Sequence, residues 1–336
     1  MNKHYNIPIF IPELACHYKC IYCNQRKISG MKEIPASNDI VNTIEKYLNT
    51  IDYKNSEVEI GFFGGSFTGL SLDKQEELLV LTKPYIDNQM VQSIRLSTRP
   101  DYINEENLEL LLKYNVKTIE LGAQSMDDEV LKYSGRGHTA EVVRQASKMI
   151  KAHGFNLGLQ MMIGLPMDTH QKAITTAKEI INLGADNTRI YPTLVIKNTP
   201  LEDLYNKGEY IPLNMDEAVS IVKDLVLLFE AANVNILRIG LHPSEGLLNG
   251  NDLVAGPFHP SFKELVMAEV WKDNFNELFN MNNKDKKLTI FVPAKAFNFA
   301  IGYFGSNKKQ LEKYYKQVNF KIDELLEANK FYVDYN

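Results

Sequence analysis

The chain has 336 residues and a formal net charge of −5, from 37 basic and 42 acidic side chains. Hydrophobic residues make up 44%, which excludes disorder, and the negative balance excludes a global positive field that would draw in nucleic acid. The three cysteines, Cys16, Cys20 and Cys23, cannot pair evenly and exclude a disulfide-stapled fold.

Pro8 and Pro12 interrupt the N-terminal apolar segment and argue against a signal peptide. The longest unbroken apolar run, Leu225–Phe229, is five residues, too short to span a membrane. A cytoplasmic location is expected. Asn6–Ile11 then reads as a strand ended by Pro12, and Glu13–Pro35 as a long loop that holds the cysteines. Asn38–Leu48 follows as a helix with Ser37 as N-cap. Five further strand–helix units come next: Val58–Phe63 with Leu72–Ile86, Ser93–Thr98 with Glu105–Lys113, and Lys117–Leu121 with Ala140–Ala152. Leu157–Ile163 with Gln171–Leu183 and Thr188–Val195 with Asp216–Ala231 complete the series. In the last helix Val219, Val222, Val226 and Phe229 form a core-facing stripe.

The alternation predicts a parallel sheet with helical crossovers. Unusual residues gather at the C-terminal strand ends (Gly64, Thr98, Gln124, Gly164 and Tyr191), as they do at barrel active sites. The expected fold is α/β, a partial (β/α)6 barrel over 1–232 with a small C-terminal α+β extension over 233–336. In that extension Ile236–Leu241 reads as a strand, His242–Pro260 as a loop and Glu264–Phe279 as a helix. Asn282–Lys287 reads as a polar turn. Leu288–Val292, Asn319–Ile322 and Phe331–Asp334 read as strands, with a helix near Lys308–Gln317. The lysines at 308, 309, 313, 316 and 321, interleaved with Tyr314, Tyr315 and Phe320, read as a solvated helix face over core aromatics.

The cysteine spacing is Cys-x3-Cys-x2-Cys. Thiolates bind iron or zinc, and three of them leave one iron of a four-iron cluster open to a ligand. A structural zinc site would need His17 or His4 as a fourth ligand. A c-type haem would need His where Asn24 stands, and a thioredoxin-like pair leaves Cys16 unexplained.

With Tyr22 before the last cysteine, this spacing resembles the signature of the radical S-adenosylmethionine (SAM) superfamily. A strand ending in Gly64–Gly65 belongs to the same pattern. The closer resemblance is to the radical SAM domain of the elongator catalytic subunit family and to shorter bacterial proteins that look like it. It is carried in order by FIPELACHYKCIYCNQRKISG, FFGGSFTG, STRPDYI, ELGAQSMDDEVL, GRGHT, MMIGLP and RIYPTLVIKNTPLEDLYNKGEY, from residue 10 to about 210. RIGLHP and AGPFHP continue it.

The resemblance implies a [4Fe-4S] cluster on Cys16, Cys20 and Cys23, with SAM at the unique iron. One electron, from a donor such as a flavodoxin or ferredoxin, cleaves SAM to a 5′-deoxyadenosyl radical that abstracts hydrogen from a substrate. The turn at Gly64 and Gly65 would hold the SAM amino group, with Ser66 and Thr68 offering hydroxyls. Ser66 stands where Glu is common, and Ser97 where the family usually has an acid. Arg99 would anchor the SAM carboxylate or a substrate phosphate, or else pair with a nearby Asp. Glu120 and Gln124 would lie around ribose and adenine, Arg136 near the carboxylate and Gln160 near adenine or ribose, while Thr139 caps the helix after GRGHT. Tyr191 and Lys197 would point into the active site. The implied substrate is a wobble uridine in transfer RNA, with a small molecule or tetrapyrrole-like substrate as the alternative. The C-terminal extension is expected to be too short for an acetyltransferase domain. A non-catalytic iron–sulfur electron carrier or redox sensor would not need Gly64–Gly65.

Overall fold

In the computed structural model the described residues are 3–11, 20–24, 34–242, 244–279, 283–327 and 329–335. They fall into two compact units, Met1–Leu213 with Leu228–Pro257, and Asn214–Leu227 with Phe258–Asn336.

The first unit is built on β1 (Lys3–Ile11), β2 (Ser56–Gly64), β3 (Ser93–Thr98), β4 (Val116–Gln124), β5 (Asn156–Ile163), β6 (Asn187–Pro192) and β8 (Asn235–Ile239). These form one sheet in the order β1-β2-β3-β4-β5-β6-β8, with each neighbouring pair parallel. The sheet curls into a partial barrel. The crossovers carry helices α1 (Ser37–Leu48), α2 (Leu72–Val80), α3 (Lys83–Asp87), α4 (Glu105–Lys113), α5 (Asp128–Tyr133), α6 (Ala140–Ala152) and α7 (His170–Asn182). A short ribbon pairs β7 (Val195–Ile196) with β9 (Leu253–Ala255), and α8 (Pro200–Asn206) follows β7.

The two faces of this sheet differ. One set of alternate positions, including Ile60, Ile94, Leu96, Ile119, Leu121, Leu157, Leu159 and Ile190, is fully buried and apolar, as packing under helices requires. The other set holds Glu59, Gly61, Arg95, Ser97, Glu120, Gly122, Gly158, Gln160 and Arg189. Parallel sheets are usually apolar on both faces, so a polar concave face marks where this one departs from pure packing.

The second unit contains α11 (Phe262–Asn274), α12 (Asn276–Phe279), α13 (Phe297–Ile301), α14 (Ser306–Leu311) and a sheet ordered β11-β10-β12. Those strands are β10 (Asn283–Val292), β11 (Tyr315–Ile322) and β12 (Tyr332–Tyr335). Trp271, Phe275, Leu288, Ile290, Val292, Leu311 and Val318 make its core. The last crossover helix, α9 (Met215–Ala231), runs through the point in sequence where the units divide, and α10 (Glu245–Leu248) precedes β9.

Several expectations are corrected. The polar segment 282–287 is largely strand, because β10 pairs with β11 from Asn283 onward through a register shift. The helix expected over Leu72–Ile86 breaks after Val80, and Pro84 sits in the first turn of α3. The strand expected to Val195 ends at Pro192, which has no amide to continue the ladder. The loop expected over 242–260 contains α10 and β9. The helix expected over 264–279 is two, α11 and α12. The helix near 308–317 ends at Leu311, and the chain re-enters the sheet at Tyr315. Ser37 lies inside α1, and neither it nor Thr139 caps with its side chain; the α6 amide of Ala140 donates instead to Asp128 Oδ1 at 2.7 Å. No helix among the described residues is long and apolar enough to cross a membrane.

Candidate functional site

Cys20 and Cys23 share one tight turn, closed by the Cys23 amide donating to Cys20 O at 3.0 Å. The turn is pinned from both sides. The Ile21 amide donates to Ser134 O after α5 (3.1 Å), and the Leu201 amide at the start of α8 donates to Ile21 O (2.9 Å). Ile21 and Tyr22 pack on Val195, Leu201 and Tyr210. Cys16 lies outside the described residues. Among those residues no three His, Cys, Asp or Glu side chains are arranged to hold a metal ion.

Two guanidiniums converge on Cys20, which is 6% exposed. Arg136 Nη1 donates to its sulfur at 3.1 Å and Arg99 Nη1 lies 3.9 Å away. Arg136 also donates to Gly122 O, to Tyr22 OH (3.5 Å) and, from Nε, to His138 Nε2 (3.3 Å). It is flanked by Gly135 and Gly137, at φ of 65° and 75°, which fold the loop back over the strand ends. Arg99 is held in a two-point pair with Asp101, both contacts at 2.9 Å, and donates to Arg136 O. The Asp partner weighed for Arg99 is thus present, and so is the sulfur. Cys20 and Cys23 are not disulfide-linked. Soft sulfur donors beside cations fit an iron–sulfur cluster, whose thiolate ligation concentrates negative charge.

His138 is nearly buried and keyed to this loop. An arginine can only donate, so His138 Nε2 accepts, and Nδ1 carries the hydrogen toward Thr139 O at 3.2 Å. Burial first and Arg136 second push its pKa down from 6.5 to about 4. The unfolded chain therefore binds a proton that the folded chain refuses. Stability from this residue is complete above about pH 6.5 and is lost as pH falls toward 4. The loss is about 3 kcal/mol across that window. Urea unfolding at a series of pH values should show it, and His138→Gln, which keeps an acceptor, should flatten that part of the curve.

The glycine turn sits at the same end. Gly64 has φ of 100°, and a Cβ there would stand 2.5 Å from Ile11 O. The Gly65 amide donates to that carbonyl at 2.6 Å. The close approach these glycines permit is thus made to the end of β1. Ser66 and Thr68 are buried, and Thr68 Oγ1 shares a 2.6 Å hydrogen bond with Thr98 Oγ1. Ser97 is half-buried, in register with Glu120.

Below the turn a ladder of charge crosses the concave face. Glu59 accepts from Ser93 Oγ (2.7 Å) and Arg95 Nε (2.8 Å), with His4 Nε2 at 2.9 Å. Burial alone would raise the Glu59 pKa, but Arg95, Ser93 and His4 outweigh it and hold the carboxyl below its usual range. Arg95 Nη1 donates to Glu120 Oε1 at 2.9 Å, and Glu120 also binds Arg189 through both carboxylate oxygens. Glu120 and Arg189 meet across β5 because Gly158 lies between. A Cβ at Gly158 would come 2.8 Å from Glu120 Cγ. Arg189 stacks over Phe63, 5.2 Å from the ring centre. Glu120, expected near the ribose, is therefore committed to two arginines, and His4, weighed as a zinc ligand, is bonded to Glu59.

At the mouth Gln160 Nε2 donates to Gln124 Oε1 at 3.1 Å. Tyr191 is one strand further on, in register with Met162. Burial raises its pKa against the opposing pull of Arg189. Lys197 is exposed, and its carbonyl accepts from Asn24 Nδ2, one residue past Cys23, at 3.4 Å. The structure thus brings Cys20, Cys23, Arg99 and Arg136 together, places Gln124 and Gln160 side by side, and leaves Lys197 at the surface. Glu59, Arg95, Asp101 and Arg189 were not singled out from sequence. The signal for three of them was the one used for Glu120, a charge inside an apolar strand.

Known proteins resemble this chain in sequence and in fold. The family described as Radical SAM superfamily matches residues 11–180, and the Radical_SAM C-terminal domain matches 185–272. An uncharacterized protein of Methanocaldococcus jannaschii is 30% identical over 67% of this chain and 72% of its own length. A tRNA uridine(34) acetyltransferase of the same organism is 25% identical over 63% of this chain and 46% of its own length. The chain thus spans about half the length of such acetyltransferase relatives. Among solved structures it is similar to the archaeal Methanocaldococcus infernus Elp3 with an N-terminal deletion, at a TM-score of 0.65 and 21% identity, covering 82% of this chain and 64% of that one.

Proposed function

The chain belongs to the radical SAM superfamily, and we propose that it uses a cluster held by Cys16, Cys20 and Cys23 to modify a nucleotide, a uridine of transfer RNA. A [4Fe-4S] cluster and SAM are the cofactors of this superfamily, and together they supply one-electron cleavage of SAM and hydrogen abstraction. The observation that carries the assignment is the turn of Cys20 and Cys23 at the barrel mouth, with Arg136 Nη1 on the Cys20 sulfur at 3.1 Å.

Arg136 offsets the charge of the thiolates and ties their turn to the end of β4 through Gly122 O. Arg99 supports it from the end of β3. The Gln124–Gln160 pair leaves one amide nitrogen and one amide oxygen to address a base edge. Tyr191, a phenol whose pKa burial raises further, serves as a donor to substrate. Lys197, exposed beside the cysteine turn, suits a phosphate. Ser66, Ser97 and the Gly64–Gly65 turn line the SAM side, and Thr68 steadies them through Thr98. The uridine assignment rests on the relatives named as tRNA uridine(34) acetyltransferases. Such a substrate, and the lack of any membrane-crossing helix among the described residues, support a cytoplasmic location.

The test is anoxic reconstitution of the wild-type chain with iron, sulfide, SAM and a strong reductant, reading 5′-deoxyadenosine by chromatography. Product is expected; no product from an intact cluster overturns the chemistry. Nucleoside mass spectrometry of bulk transfer RNA, incubated in the same mixture, should show an altered uridine. Product formation with unaltered transfer RNA moves the substrate to a small molecule.

A further inference from the structure

We propose that the outward face of the β11-β10-β12 sheet is a platform for single-stranded RNA. The sheet belongs to the second unit, and the barrel site to the first. It names how a nucleic-acid substrate is held, and to that extent rests on the nucleotide assignment.

The physical case starts from charge. From Asn283 to Lys321 there are nine lysines and two carboxylates, Asp285 and Glu312, in a chain whose net charge is −5. The acidic whole therefore carries a local basic stretch, the footprint expected of a phosphate-binding surface. All but one of these lysines, Lys308, are exposed.

The sheet places two of those lysines, Lys287 and Lys321, on its outward face. Leu288, Ile290, Val292 and Val318 point into the core. The alternate positions Lys287, Phe291, Gln317, Asn319, Lys321 and Tyr332 are left on the opposite face. Across that face Phe291 pairs with Lys321 on one side and Tyr332 on the other. The two rings stack at 4.6 Å and 8°, and Lys321 Nζ lies 5.8 Å from the Phe291 ring centre. Tyr332 is 46% exposed on edge strand β12, and its hydroxyl donates to Asp323 at 3.0 Å, which fixes the ring. The row Lys321, Phe291, Tyr332 ends in an aromatic plane at the sheet edge, where a nucleobase extends the stack. Amides of Gln317 and Asn319 offer donors and acceptors; Asp334 lies on the same face, and the Asp323 carboxylate is taken up by the Tyr332 hydroxyl. Stacked rings on an open sheet, among cations, suit unpaired bases better than a duplex or a lipid surface.

The segment from Lys308 to Lys321 was expected to be a helix face over core aromatics. Its aromatics are indeed core: Tyr315 is buried, and Tyr314 and Phe320 pack against the same cluster. The stacking rings come from β10 and β12, outside that segment.

The experiment uses the full chain without SAM and a labelled oligouridylate of about ten nucleotides, read by fluorescence anisotropy over a salt series. Binding should weaken linearly in log–log form with salt. Lys287→Gln and Lys321→Gln should each lower the slope by about 0.7. Tyr332→Ala should weaken binding roughly tenfold with little change of slope, and Tyr332→Phe should retain it. Tyr332 is an exposed edge residue, so these variants fold. Wild-type affinity in Tyr332→Ala, a slope unmoved by both lysine changes, or a preference for duplex RNA overturns the proposal. Normal 5′-deoxyadenosine yield without RNA binding overturns this surface alone. RNA binding without any 5′-deoxyadenosine overturns the radical chemistry alone.

Discussion

Cys20→Ser should leave a folded chain that takes up little iron and forms no 5′-deoxyadenosine. The sulfur is buried and touches two guanidiniums, so its removal has a structural component as well as a chemical one. Alanine would strip Arg136 Nη1 of its nearest partner, at a cost of about 1–3 kcal/mol for a buried unsatisfied donor. Serine keeps an oxygen acceptor near that position and retains most of that stability. It is, however, a hard and weakly acidic donor where an iron–sulfur cluster needs thiolate. The pair of variants therefore separates the roles. Iron and acid-labile sulfide content should collapse in both, while the urea midpoint should fall mainly in Cys20→Ala. Full iron content in Cys20→Ser would show that Cys20 braces the loop and is not a ligand. Arg136→Met should behave oppositely, weakening the loop first, because it unties Gly122 O, His138 and Tyr22 at once.

The strand–helix rhythm was legible because each strand carries an apolar alternate row and each helix an apolar stripe. Ser93–Thr98 and Glu105–Lys113 emerge with the expected bounds. What sequence hid was non-local. Lys284, Lys286 and Lys287 read as a turn, yet β10 is held by partners some thirty residues later, at Tyr315 and Gln317. Thr139 has the chemistry of a cap, but Asp128 takes the amide of Ala140 from the first turn of α5. The cysteine motif pointed to a site from spacing alone, whereas Arg136 could be joined to Cys20 only by a fold that brings residues 116 positions apart into contact. Glu59, Arg95 and Arg189 were visible one at a time as charges in apolar strands. Their meaning lies in register, with Ser97 opposite Glu120 and Gln160 opposite Arg189, and register is set by the sheet as a whole.

That register gives Glu120→Ala a large expected cost, about 3–5 kcal/mol of unfolding free energy, the usual result of removing one partner from a buried ion pair. Glu120 is 3% exposed and accepts from Arg95 and from both donor arms of Arg189. Without it Arg95 still has Glu59, but Arg189 keeps only Phe63 beneath its plane and Tyr191 beside it. Glu120→Gln, which keeps an acceptor but no charge, should fall between. Glu120→Ala with Arg189→Met should recover much of the loss, since two apolar groups leave no charge uncompensated. Urea unfolding of wild type, Glu120→Ala, Arg189→Met and the double variant forms the cycle. A residue that contacted SAM and not the ladder would give the reverse pattern: Glu120→Ala would unfold within about 1 kcal/mol of wild type while SAM affinity fell. A large stability loss with unchanged SAM affinity would assign Glu120 to the barrel wall, and would leave recognition at the mouth to the Gln124–Gln160 pair above it.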